Sequence, residues 1–86
     1  MPKRARKDLN QDEIVAALEA VGAEVWIIEE PVDLMVGFRG INYLLEVKGL
    51  TGTLTDRQKV FFRDWRGHKA VVRSVDEALR EIGAVA

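Results

Sequence analysis

The sequence predicts a mixed α/β (α+β) domain with the element order α-β-β-β-α-β-α, on three observations. Two apolar runs, 31–38 and 41–48, flank Arg39-Gly40 as the arms of a hairpin flank a tight turn. After the second run come a segment with inward-facing aromatics, 55–66, and the short apolar strand Ala70-Val71-Val72. That β-α-β unit should place its two strands parallel if they are neighbours. Amphipathic stretches at either end, 10–21 and 74–82, supply helices to cover a central mixed sheet.

The first helix is expected to open at Asn10, a good N-cap, with Glu13 three residues on in the capping-box position and Leu9 and Ile14 as a hydrophobic staple. Ile14, Ala17, Leu18 and Val21 form its apolar stripe, and Gly22 ends it. Glu24 to Ile28 reads as a strand, and Glu29-Glu30-Pro31 as the turn into the hairpin. Thr55 opens the second helix with Gln58 as its capping-box partner, Phe61, Phe62 and Trp65 supply its buried face, and Gly67 stops it. Ser74 caps the last helix with Glu77 three residues on, and Val75, Ala78, Leu79 and Ile82 make its stripe.

Composition narrows the chemistry. At 86 residues the chain makes one small domain, read as a basic, disordered tail over 1–8 and a folded unit over 9–86. There is no cysteine and a single histidine, His68, so thiolate and His-cluster sites are excluded. Any bound metal must be held by oxygen, which points to Mg²⁺ or Mn²⁺. No stretch is long and apolar enough for a membrane span and no signal peptide is visible, so no membrane partner and a cytoplasmic location are expected. Net charge is only −1 but is unevenly spread: residues 8–38 hold eight acids and no Lys or Arg. Residues 55–73 carry six basic residues against Asp56 and Asp64. An acidic half beside a basic helix and strand suits a metal site next to a phosphate-binding surface, although ordinary surface charge gives the same pattern.

The hairpin carries the chemical signal. With an even loop centred on Arg39-Gly40, Phe38 faces Ile41 and Asp33 faces Glu46. Directly opposed carboxylates repel in a ladder, and a cation between them would remove that penalty. Glu46 and Lys48 are two apart and share a strand face. Two carboxylates and one ammonium on one sheet face suit a hard divalent metal that activates water. The alternative is an edge hairpin with a solvated polar face, and an odd loop would move Asp33 to the other face.

Together these motifs resemble the PD-(D/E)XK nuclease superfamily, and within it the small virus-type replication-repair nucleases (VRR-NUC), which include stand-alone phage proteins. The resemblance runs from Asn10 to Gly83. It rests on Asn10-Gln11-x-Glu13-Ile14-Val15 opening a helix, Asp33-Leu34-x-Val36-Gly37, Leu44-Leu45-Glu46-Val47-Lys48, Leu54-Thr55-x-x-Gln58, Trp65-Arg66-Gly67 and the closing Val71-to-Leu79 segment. One departure from the family pattern is that Val32 separates Pro31 from Asp33, where Pro usually precedes the Asp directly.

The resemblance implies a restriction-endonuclease-like core and metal-dependent hydrolysis of DNA phosphodiesters by an endonuclease of Holliday-junction-resolvase type. Asp33, Glu46 and the Val47 carbonyl would hold Mg²⁺ or Mn²⁺, and Lys48 would orient the attacking hydroxide or offset charge on phosphate. Glu13 would approach from the first helix and Gln58 would line the site. A homodimer acting on branched DNA, in a phage-infected or prophage-bearing bacterial host, is expected. Lys3, Arg4, Arg57, Lys59 and Arg63 are the candidate DNA contacts, with a solvated helix face and a solubilising tail as alternatives. The competing reading of the whole chain is a non-catalytic DNA-binding or assembly module that keeps the nuclease fold.

Overall fold

The computed structural model describes residues 5–85, with side chains from Asn10 onward. The elements are α1 (Ala5–Ala20), β1 (Glu24–Ile27), β2 (Leu34–Phe38), β3 (Ile41–Val47), α2 (Asp56–Asp64), β4 (Lys69–Val72) and α3 (Val75–Glu81). The order α-β-β-β-α-β-α is the one the sequence predicts. The strands form one four-stranded sheet in the order β1-β2-β3-β4. β1 and β3 run antiparallel to β2, and β4 runs parallel to β3.

The hairpin register follows from its turn. Arg39 and Gly40 have φ of 53° and 83°, the two positive values that a two-residue type I′ connection needs to match strand twist. Phe38 therefore pairs with Ile41 and Leu34 with Leu45. Alternation then sends Leu34, Val36, Phe38, Tyr43, Leu45 and Val47 to one face, where they join Ile14 and Leu18 of α1, Ala78 of α3 and Ile82 in a single core. α1 and α3 pack on each other and over this face. Gly22 and Gly83, at φ of 99° and 77°, close these two helices. In each case the following amide bonds back five residues, Ala23 to Leu18 and Ala84 to Leu79, in the Schellman pattern.

Several expectations are corrected. α1 starts at Ala5, so Asn10 is an interior residue and not an N-cap, and the basic segment is helical from Ala5 onward. Ala5-Arg6-Lys7 are good helix formers with nothing to break the turn. The side chain of Leu9, and all of Lys3 and Arg4, lie outside the described residues. Val21 is exposed and does not extend the α1 stripe. α2 buries no residue: Phe61 and Phe62 are half-buried, and Trp65, already past the helix, is exposed. α2 ends before Gly67, with Trp65 as its C-cap. Ser74 does cap α3 by accepting from the Glu77 amide, but the Glu77 carboxylate accepts from Arg73 N at 2.8 Å, not from Ser74.

The second face of the sheet is covered less completely. Trp26 and Met35 are cross-strand partners there and remain 61% and 43% exposed. Asp33 and Glu46 lie on the same face, two residues along their strands from Met35 and its partner Leu44, where the Gln58 amide of α2 reaches Glu46.

Candidate functional site

The site begins with the register. Asp33 immediately precedes β2 and Glu46 is the penultimate residue of β3. Continuing the Leu34–Leu45 pairing by one step brings them opposite each other, as expected. Their carboxylates take over where ladder hydrogen bonding stops: Asp33 N donates to Glu46 Oε1 at 3.1 Å, and Val47 N donates to Asp33 Oδ2 at 2.9 Å. Each acid thus fixes the other's strand end. Glu46 is fully buried and Asp33 nearly so.

Two further groups meet Glu46 on its other oxygen. Gln58 Nε2 donates to Oε2 at 2.8 Å, and Lys48 Nζ lies 3.3 Å from the same atom. Burying a carboxylate is costly unless it is paired and hydrogen-bonded, and Glu46 meets both conditions. Gln58 also closes the capping box, its Oε1 accepting from Thr55 N at 3.0 Å while Thr55 Oγ1 accepts from Gln58 N at 3.2 Å. One side chain therefore both completes the capping box of α2 and reaches Glu46.

The backbone around Lys48 is pinned by residues the sequence reading assigned elsewhere or not at all. Asn10 Nδ2 donates to the Lys48 carbonyl at 3.1 Å, and Lys48 N donates to Val72 O at 3.1 Å. Arg73 Nη1 donates to Gly49 O at 2.6 Å and Gly52 O at 2.8 Å. Asn10 stands one turn before Ile14, so a polar residue on the apolar stripe was the available signal once the helix is extended backward. Arg73 becomes visible only once β4 is placed beside β3.

A cavity of about 510 Å³ opens beside Asp33, lined by Glu29, Glu30, Pro31, Asp33, Thr55, Arg57, Gln58, Val60 and Phe61. Arg57 Nη2 and Glu30 Oε1 pair at 3.1 Å with both side chains largely exposed. Lys59 is exposed. Arg63 is held by Asp64 at 2.7 and 3.0 Å. That hydrogen bonding raises the Arg63 pKa and lowers that of Asp64. His68 is exposed, with its ring 4.9 Å from that of Tyr43.

Glu13 does not complete a set of acids. It is exposed on α1, and among the described residues no group of three or more His, Cys, Asp or Glu could hold a metal. With α1 starting at Ala5, Glu13 falls in the middle of the helix and not in the first turn. A cation placed here would have Asp33, Glu46 and the backbone carbonyl of Val47 as its protein donors. All three are hard oxygen donors, which fits Mg²⁺ or Mn²⁺. So short a protein set suits an ion that keeps several waters and takes substrate phosphate oxygens.

Among the described residues no helix is long and apolar enough to cross a membrane. Compared with protein-family models, with curated proteins and with solved structures, the chain matches none.

Proposed function

We propose that this chain is a Mg²⁺- or Mn²⁺-dependent DNA endonuclease of the PD-(D/E)XK kind that acts on branched DNA as a homodimer in the cytoplasm. The observation that carries this reading is the cluster at the hairpin end: two buried carboxylates on one sheet face, with Lys48 and Gln58 both on Glu46. A fold stabilised only by its core has little reason to bury two carboxylates, with a half-buried lysine and glutamine on one of them, at a strand end beside an open cavity.

Asp33 and Glu46 would hold the cation with the Val47 carbonyl. The cation would supply an activated water and charge neutralisation at phosphate. The protein's own part is orientation. Val47 N fixes the Asp33 carboxylate, and Asp33 N and Gln58 Nε2 fix that of Glu46. Lys48 offers a point charge where negative charge builds on the phosphoryl oxygens. Its backbone is held by Asn10 and Val72, so the ammonium works from a fixed base. Exposed Trp26 and Met35 supply an apolar surface for self-association, and a two-fold dimer matches a two-fold branched substrate.

A second reading is favoured by one specific observation. Asp33 Oδ2 and Glu46 Oε1 accept backbone amides, so the pair also serves as a strand-end clasp, as a non-catalytic DNA-binding module would retain it. Nicking of supercoiled plasmid with Mg²⁺ separates the two. The nuclease reading expects nicking that Glu46→Gln abolishes; binding of the plasmid without nicking, in Mg²⁺ and in Mn²⁺, would replace it with the module.

A further inference from the structure

The segment directly after Lys48 has an unusual construction. Gly52 N donates to Gly49 O at 3.2 Å, closing a four-residue turn with Leu50 and Thr51 at its tip. The carbonyls at both ends of that turn, Gly49 O and Gly52 O, accept from the same Arg73 nitrogen. Arg73 itself follows β4, which is parallel to β3, so the clamp ties the turn to the sheet. On this braced turn Leu50 is 87% exposed, more than any other large apolar residue among those described. Flexible loops usually show small polar residues at their tips. Here a leucine is held out on a fixed support.

We propose that Leu50 is a wedge that enters an unstacked base step of branched or nicked DNA, setting the substrate preference of the site. This rests on the nuclease reading above. Apolar side chains that insert between base steps are a general device for holding distorted DNA, and the unstacking cost is lowest where the duplex is already interrupted. Position favours that role. Leu50 is two residues from Lys48, so the two Cα atoms stand within about 7 Å of each other, and the wedge would sit beside the phosphate to be cut. A protein partner is less well suited. Thr51 and Thr53 beside the tip are exposed and polar, so within its own turn Leu50 has no apolar partner to build the kind of cluster on which protein interfaces depend.

The test uses the full chain and a four-way junction carrying 2-aminopurine at the branch point, with a linear duplex of the same sequence as control. Binding is measured in Ca²⁺ by anisotropy and unstacking by 2-aminopurine fluorescence, for the wild type, Leu50→Ser and Leu50→Met. The wild type should raise the fluorescence and prefer the junction. Leu50→Ser should lose the fluorescence rise and about ten-fold of that preference, the change that burial of one leucine side chain supports. Linear-duplex affinity should stay the same, and Leu50→Met should keep both effects. Junction binding by Leu50→Ser with the wild-type preference and fluorescence overturns the wedge and leaves the nuclease reading intact. So does a change in oligomeric state on sedimentation without a change in unstacking. A wild type that binds neither DNA overturns both.

Discussion

Gln58 Nε2 stands 2.8 Å from Glu46 Oε2 while Gln58 Oε1 receives the Thr55 amide, so one side chain caps α2 and orients a buried carboxylate. The cap brings the first turn of α2 down onto the sheet, and the same cap aims the amide donor at the site. Gln58→Glu separates the two roles. It keeps the acceptor for Thr55 but replaces the donor with a second acid against Glu46. Gln58→Glu and Gln58→Ala should each cut plasmid about 10- to 100-fold more slowly, as loss of a partner that orients a metal ligand does. Gln58→Ala should also lose roughly 1 kcal/mol in urea unfolding, because the Thr55 amide loses its acceptor while Thr55 Oγ1 still caps the backbone N of residue 58. Wild-type cleavage by Gln58→Glu would reduce this residue to a cap.

Glu46 has more partners than any cap requires. Glu46→Ala leaves the Asp33 amide, Lys48 and Gln58 facing a void, and should cost about 3 kcal/mol, the usual penalty for breaking a buried ion pair from one side. Glu46→Gln keeps the shape and should fold, with Mn²⁺ binding lost in calorimetry. Undiminished Mn²⁺ affinity in Glu46→Gln would remove Glu46 from the donor set.

Lys48→Ala is expected to behave differently. Metal affinity should be retained while the cleavage rate falls by about 10²- to 10³-fold, as when one transition-state charge partner is removed. Calorimetry and single-turnover cleavage on the same preparation make the comparison. Loss of metal binding in Lys48→Ala would mean that the lysine shapes the carboxylates and does not act on phosphate.

Trp26 and Met35 sit side by side on the less covered sheet face. Trp26→Arg should convert a dimer to a monomer in sedimentation velocity with little loss of thermal stability, because Trp26 is already mostly exposed in the single chain. An unchanged sedimentation coefficient would move the dimer interface elsewhere.

Gly40 has φ of 83° in the hairpin turn, and a Cβ built there meets nothing within 4 Å. The cost of Gly40→Ala is therefore backbone strain alone, about 1 kcal/mol, read as a lower midpoint in urea with unchanged slope.

The hairpin was legible because Arg39-Gly40 stands between two apolar arms; its register was legible only on the premise of an even loop, which the positive φ of Arg39 and Gly40 supplies and which decides which face each acid takes. Thr55, Gln58 and Ser74 were legible because caps are local. The start of α1 was not. Asn10 looks like a cap to any local rule, and only its bond to Lys48 O, thirty-eight residues away, explains a polar residue inside the helix. The exposure of Trp65 and the partial burial of Phe61 and Phe62 were misjudged for a related reason. Helical spacing reports which face is apolar, but not whether a neighbour covers it. Arg73 escaped notice because its role depends on the parallel pairing of β3 with β4, a contact no short-range pattern encodes.

The central claim is that the Asp33–Glu46 pair supports metal-dependent DNA cleavage. Its most direct test is a four-way junction labelled in turn on each strand, incubated with the wild type and with Glu46→Gln, with and without Mg²⁺. Paired, symmetric cuts that require Mg²⁺ and vanish in Glu46→Gln are the expected result. Equal cutting by Glu46→Gln, or an intact junction under every metal condition while the protein remains bound to it, would contradict the account.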